Sequence, residues 1–394
     1  MRHRAQPENS SSIMKKLLSL AALAMLAGCT TSNEPSSSVS LTPVGFDALA
    51  GWDREDFASL LPVLRQECHR LTQLPPETPL GGAETLPYGR QVGDWSGACA
   101  GLESAADAKS YLQTWFQPYE TDTKAFYTGY FEPQIEASLT REGPYQTALY
   151  GRPADLVRAK ATNGQMVTGR WENGQFKPYY DRAQIDGGAL AGRGLEIAWL
   201  KSPVDLFFLQ IQGSGRLILP DGSQIRAGYD GKNGQPYVPL GRVLVQDNEL
   251  APSAVSMESI RAWLEAHPDR MMAMMERNPN YVFFRKDTGS LAQGATGAFG
   301  VPLTAGRSVA IDRSIVPFAT PLWVETKLPD AKGQPAPWQH LVFAQDIGTD
   351  IKGAGRADLF TGWGAFAQYV AGNLHENGRM VILLPRPPVD SSTP

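Results

Sequence analysis

The chain has 394 residues and a formal net charge of −4, with 36 Lys and Arg against 40 Asp and Glu. No basic block runs along it, which argues against nucleic acid as a partner, and its five histidines are scattered without metal-ligand spacing. Thirty-nine glycines and thirty prolines favour many turns and short strands over long helices.

Residues 14–29 read MKKLLSLAALAMLAGC. Two lysines, an apolar run from Leu17 to Leu26 and small residues at the end make a bacterial secretion signal. The run is too short to span a bilayer. Leu26-Ala27-Gly28-Cys29 is a lipobox, which predicts that Cys29 becomes an acylated N-terminus; more than one acyl chain anchors stably. Thr30, where an aspartate would favour retention in the inner membrane, points to the outer membrane. Translation is expected to start at Met14, with Met1 as the other choice. Residues 1–29 are therefore upstream residues plus lipoprotein signal. Residues 30–44 are Ser/Pro-rich and read as a flexible tether, and 386–394 as a disordered tail. About 340 residues lie between, enough for one large or two ordinary domains. In an oxidising periplasm the two remaining cysteines, Cys68 and Cys99, are expected to pair. Such a bridge would close a loop of about 30 residues and stabilise by ~3 kcal/mol; two buried thiols are the alternative.

A helix is expected over 48–74, where Leu60, Leu61, Leu64 and Cys68 recur at helical spacing. A second is expected from Glu103, packing Tyr111, Leu112, Trp115 and Phe116. The segment AFYTGYFEPQIEASL then turns to strand character. ALYGRP, VTGRWENGQFKPYY with a turn at Asn173-Gly174, and VDLFFLQIQGSGRLILPDGSQIRAGY with a turn at Pro220-Asp221-Gly222 also read as β. In that reading Asp205 opens a strand and is structural. Residues 256–278 form a helical interlude, with an imperfect capping box at Ser256. Strands return with YVFFRK, SVAID, PLWVET, HLVFAQD and RMVILLP. Short strands between glycine turns suggest barrels.

Several familiar motifs fail. Gln212 opens QGSGR, so it is not the nucleophile elbow G-x-S-x-G. GAGRAD at 353–358 lacks the third glycine of a dinucleotide fingerprint. Asp346 and Asp350 lack the companions of a calcium loop. Carboxylates at strand ends remain: Asp312 closes SVAID, Asp346 closes LVFAQD, and Asp358 sits against Leu359 and Phe360. A carboxyl beside apolar strands has a raised pKa, which suits a general acid for glycosidic cleavage. The bland reading is that each caps a turn or pairs with Arg307, Arg313 or Arg356.

GRSVAIDRSIVPFATPLWV, FAQDIGTDIKG and GRADLF together resemble the 3D domain, named for three aspartates. TGYFEP, VDLFFLQIQGSGRLILPDG, GYDGKNGQPY and NPNYVFFR resemble the membrane-bound lytic murein transglycosylase A family; the likeness spans roughly residues 50–385. It implies a mainly β fold with a few helices: a double-psi β-barrel catalytic domain at 45–132 and 293–385, with a second, smaller β-barrel inserted at 133–292 and a groove between them. It implies a lyase, a peptidoglycan lytic exotransglycosylase. This would cut the β-1,4 bond between N-acetylmuramic acid and N-acetylglucosamine without water and leave a 1,6-anhydro end. One carboxyl suffices because the attacking hydroxyl belongs to the substrate, and intramolecular attack carries an entropic advantage.

The likeness assigns Asp358 as acid/base and Asp346 as a second catalytic-site residue that orients or hydrogen-bonds. Asp312 becomes structural, and Asp350, where the family has a small residue, faces solvent. Ala319 stands where glycine is common. Thr128, Gly129 and Tyr130, with Gln212 and Ser214, are the candidate sugar contacts, Tyr130 being read equally as core and Trp363 as a possible stacking face. Gly348, Gly353 and Gly355 are expected to let backbone turn tightly and approach the sugar. Lys352 is expected to help position their loop. Expected partners are peptidoglycan glycan strands, the outer membrane through the lipid, and other cell-wall enzymes; no cofactor and no metal are implied. The rivals are a non-catalytic peptidoglycan-binding lipoprotein, and a hydrolase using Asp346 and Asp358 as acid and base.

Overall fold

A computed structural model describes residues 39–387 except 331. The signal, Cys29, most of the tether and most of the tail lie outside them. No described helix is long and apolar enough to cross a membrane.

The N-terminal part is a short strand, β1 (Leu41–Pro43), followed by three helices: α1 (Phe57–Thr72), α2 (Ser96–Glu103) and α3 (Ala108–Trp115). The helical expectation over 48–74 holds only from Phe57; before it the chain makes two single 3₁₀ turns at Phe46–Ala48 and Trp52–Arg54. The helix expected from Glu103 begins only at Ala108, as α3. Glu103 ends α2, and Asp107 caps α3 by accepting the Ser110 N–H at 2.8 Å. Phe116 already lies on a strand. Cys68 and Cys99 form a disulfide that joins α1 to α2. Then come β2 (Phe116–Thr121) and β3 (Ala125–Glu132).

Pro133 separates β3 from β4 (Gln134–Ser138), and with β4 the chain enters another sheet. β5 (Thr147–Tyr150), β9 (Glu196–Leu200), β10 (Ser214–Ile218), β11 (Gln224–Lys232) and β12 (Val282–Asp287) complete it in the order β12-β11-β10-β4-β9-β5. A parallel bridge from Gly151 to Phe284 brings the chain after β5 back to β12 and curls the sheet into the second, smaller barrel. A separate meander, β6 (Val157–Lys160), β7 (Met166–Glu172) and β8 (Gln175–Pro178), turns at Asn173-Gly174, both with positive φ. The hairpin turn after Leu219 also forms as expected, with the Gly222 N–H donating to the Leu219 carbonyl.

VDLFFLQIQ is not a strand. After the single-turn helix α4 (Arg182–Gln184), residues Pro203–Gln212 form α5. The Ser202 hydroxyl caps its first N–H groups, Pro203 fills the first turn, and Gly213 ends it in the left-handed region at φ 82°. Buried Val204, Leu206, Phe207, Phe208, Leu209 and Gln210 surround the helix. A helix buried on nearly all sides loses the apolar-polar alternation that would reveal its period. Asp205 is thus a helix residue, paired with Arg261 at 2.7 Å. α6 (Leu240–Gln246), α7 (Met257–Ala266) and α8 (Met271–Met275) follow. The interlude at 256–278 breaks at His267-Pro268, and Ser256 and Ser259 cap one another reciprocally.

The last segment returns to the first sheet with β13 (Ser308–Ile311), β14 (Pro321–Pro329), β15 (Pro335–Ile347) and β16 (Arg356–Trp363); α9 (Ala365–Asn373) and β17 (His375–Pro385) follow. β17 pairs with β14 along one stretch and β3 along another, so the ring β17-β14-β15-β13-β16-β3 closes on itself. This is the double-psi β-barrel, with parallel pairs β13–β15 and β16–β3. Its interior is apolar, with Val309, Ile311, Leu322, Val342 and Ile382 buried. Ala319 sits in a buried turn at φ 68°, a conformation that suits glycine.

Glu132, the last residue of β3, is fully buried between Arg216 of β10 and Arg226 of β11, at 3.1 and 2.7 Å. Removing one member of a buried ion cluster strands the others in low dielectric. Arg226→Met, which takes from Glu132 its nearer cation where burial already raises its pKa, is expected to destabilise by about 3–5 kcal/mol, read by denaturant unfolding at neutral pH.

Candidate active site

Alternation along β3 puts Thr128, Tyr130 and Glu132 on one face. The parallel register sets Thr128 opposite Asp358 and Tyr130 opposite Phe360. Across that register the Thr128 hydroxyl donates to Asp358 Oδ1 at 2.5 Å. The Tyr130 phenol donates to Asp346 Oδ2 at 2.9 Å. Burial and the charge of Asp346 hold the phenol well above its ordinary pKa, so it stays a donor. Asp346 Oδ1 accepts the Ala298 N–H at 3.0 Å.

Both carboxyls are pushed upward. Burial raises Asp358 to about 6, and the neighbouring Asp346 adds to the rise; the Thr128 hydrogen bond and the Arg356 charge pull the other way. Burial also raises Asp346, against its hydrogen bonds from Ala298, Ile347 and Tyr130. The two groups therefore lie near one another in a site that disfavours two negative charges.

The pairings of the bland reading are mostly absent. Arg307 binds Glu55 at 2.9 Å, and Arg313 donates to the carbonyls of Pro79 and Leu80. Arg356 aims its Nη2 at the Thr128 hydroxyl at 2.7 Å and its Nη1 at the Ala357 carbonyl. Asp312 does cap a turn: it accepts from Ser314 N and Oγ and from Gly353 N at 3.0, 2.7 and 3.0 Å. Burial would raise its pKa, but these bonds and Lys352 hold it below the ordinary value. Asp312 thus pins the loop between β15 and β16, with Lys352 at 3.9 Å. Asp350 is exposed.

The loop glycines turn the backbone or pack closely within the protein. Gly353 takes φ 102°, and a Cβ on Gly355 would lie 2.7 Å from the Lys124 carbonyl. Gly129 is on the opposite face of β3 from Thr128, where a Cβ would come within 2.8 Å of Ala371 Cα in α9. Its place is explained by close helix packing. Gln212 accepts the Phe131 N–H at 3.0 Å and so steadies the end of β3. Ser214 is buried at the start of β10. Trp363 lies under the Arg216 guanidinium, 3.6 Å from its ring centre.

Arg356 as a donor to Thr128 was legible from alternation, since it stands two residues before Asp358 on one strand. Ala298 carried no signal, being 48 residues from Asp346 in sequence. The support beneath Asp346 was equally hidden. In α1, Gln66 donates to the Pro302 carbonyl and Arg70 to the Phe299 carbonyl, at 2.8 and 3.0 Å. Buried Glu67, raised to about 8 by burial, accepts from the Gln345 amide, next to Asp346.

Two family models match the chain: the MltA specific insert domain at residues 126–285 and the 3D domain at 307–384. The membrane-bound lytic murein transglycosylase A of Escherichia coli (strain K12) is 31% identical over 309 residues, covering 76% of this chain and 78% of that protein. The protein of that name from Vibrio cholerae is 28% identical over 386 residues, covering 93% and 94%. A crystal structure of a membrane-bound lytic murein transglycosylase from Agrobacterium tumefaciens superposes with TM-score 0.78 at 33% identity, over 88% of this chain and 98% of that one. Escherichia coli MltA with bound chitohexaose superposes with TM-score 0.64 at 27% identity, over 89% and 92%.

The raised pKa of Asp358 has a consequence for stability. Its ionised form is penalised in the fold, so the penalty is absent when both folded and unfolded chains are protonated. It grows from about pH 4 to pH 6 and is constant above. Asp358→Asn is expected to melt higher than the parent at pH 8, with the gap closing at pH 3.5, in parallel thermal scans.

Proposed function

This chain belongs to the membrane-bound lytic murein transglycosylase A family, and from that premise we propose that it is a peptidoglycan lytic transglycosylase acting through Asp358. The bond cut is the β-1,4 link between N-acetylmuramic acid and N-acetylglucosamine, and the product is a 1,6-anhydro-muramic end. The observation that carries this reading is the Asp358 carboxyl: half-buried between apolar strand neighbours, raised to about 6, and held on one oxygen by Thr128. A carboxyl near pH 6 is protonated often enough to give a proton and basic enough to take one back.

In the first step the Asp358 proton goes to the glycosidic O4. The C1–O4 bond breaks and its electron pair stays on O4 as the hydroxyl of the departing glucosamine. The muramic O6 then bonds to C1, and its proton returns to the Asp358 carboxylate. No water enters, and the enzyme ends as it began. Asp346, fixed by Tyr130 and the Ala298 N–H, is assigned to orienting the site. Its charge also favours the protonated form of Asp358. Thr128 and Arg356 hold the Asp358 side chain from the adjacent strand.

The chitohexaose complex of the Escherichia coli relative supports a glycan-binding groove. We assign that groove to the space between the double-psi barrel at 45–132 with 293–385 and the insert at 133–292. Thr128, Tyr130, Gln212 and Ser214 are the nearest assigned residues. The names of the relatives support membrane association. The lipobox carries the finer reading, an outer-membrane lipoprotein acylated at Cys29 and facing the periplasm.

The test is mass spectrometry of muropeptides released from purified peptidoglycan by the form lacking residues 1–29. Anhydro-muramic ends are expected from the parent, with release reduced about 10²–10⁴-fold in Asp358→Asn. Reducing ends would make the enzyme a hydrolase, and retained wall binding without release would make it a binding protein. The acid must be protonated in the free enzyme, so kcat/KM is expected to fall as pH rises through about 6. Thr128→Val removes a bond that lowers this pKa and is expected to move the falling limb to higher pH.

A further inference from the structure

The loop between β15 and β16 carries cationic chemistry that the reaction above does not use. Lys232, at the end of β11, reaches across to donate from Nζ to Thr349 Oγ1 at 3.2 Å. Among the described residues no carboxylate lies within ion-pair distance of it, whereas its neighbour Asp230 faces Arg285 at 3.7 Å. Lys352, on the same loop, is close enough to Lys232 to depress it further, after burial. Lys352 is largely exposed, and the one carboxylate within ion-pair distance of it among the described residues is Asp312, at 3.9 Å; Asp350, exposed two residues before it, makes no such pair there. The Asp312 carboxylate is already engaged by Ser314 and Gly353. One ammonium group on the loop and one reaching it from β11 thus meet where the chain leads from Asp346 to Asp358. Placing like charges together in a partly buried setting costs free energy unless an anion arrives.

We propose that Lys232 and Lys352 form a carboxylate-binding subsite for the peptide that hangs from the lactyl arm of muramic acid. This rests on the glycan-cleavage reading above. A bare sugar strand of N-acetylglucosamine offers no anion, whereas wall peptides carry several free carboxylates. An ammonium pair suits such a ligand because each lysine is a mobile point charge that needs no fixed approach plane. The insert then contributes to substrate choice through β11, beside whatever it gives to sugar binding.

The experiment compares two substrates, peptide-bearing glycan strands and the same strands stripped of peptide by an amidase, with soluble parent, Lys232→Met, Lys352→Met and Lys232→Arg. The expected result is that the ratio of kcat/KM on peptide-bearing to stripped strands falls at least five-fold in each methionine variant. The fall should come mainly through KM, and Lys232→Arg should recover most of it. Equal losses on both substrates would overturn the proposal, since stripped strands have lost every peptide carboxylate and bear only the lactyl carboxylate that the amidase frees; that result would make Lys232 a structural clasp. An unchanged ratio in folded variants would also overturn it. Failure of the underlying reading is separable, because the parent would then give no anhydro product from either substrate.

Discussion

One face of one strand organises this molecule. Thr128, Tyr130 and Glu132 alternate along β3 and reach, in turn, Asp358, Asp346 and the Arg216–Arg226 pair. The first two contacts fix the carboxyls, and the third fixes the start of the inserted barrel. A shift of β3 by one residue would turn all three side chains to the other face. The parallel pairing of β3 with β16 is therefore the constraint on which both the site and the junction of the two barrels depend.

The electrostatics follow from that placement. Asp358 is flanked by one cation and one anion, but burial is the largest influence on it and raises it. Arg356 could have held the carboxyl ionised by direct pairing. It is turned instead to the Thr128 hydroxyl and a backbone carbonyl. The group is left in the range where a carboxylic acid can both give and recover a proton. Asp346, held by the Tyr130 phenol and the Ala298 N–H, is a fixed neighbour of that group.

The helical part at the N-terminus contributes at a distance. Gln66, Glu67 and Arg70 project from α1 onto Gln345 and the 299–302 segment, behind Asp346. The Cys68–Cys99 bridge ties the same stretch of α1 to α2. Helices that look peripheral to the barrel thereby stiffen the backbone that presents the second aspartate.

Much was legible in the chain itself. Strand alternation marked β3 and the C-terminal strands, turn residues marked both hairpins, and Asp346 and Asp358 on their strands marked the candidate site. The oxidising compartment implied by the signal pointed to the Cys68–Cys99 pair. What failed was local: VDLFFLQIQ looked like a strand because burial on nearly all sides erased its helical period, although Ser202-Pro203 and Gly213 marked its ends. Gly129, Gly348 and Gly355 stand at close approaches within the protein, and Gly353 turns the backbone tightly at φ 102°. Sequence determined which residue types stand at the strand ends, because alternation and turn chemistry act over a few neighbours. Only the tertiary structure decided that Asp358 meets Thr128 across 230 residues and Asp346 meets Tyr130 across 216. Those contacts depend on barrel closure and strand register, and the raised carboxyls depend on burial that no local stretch of chain can express.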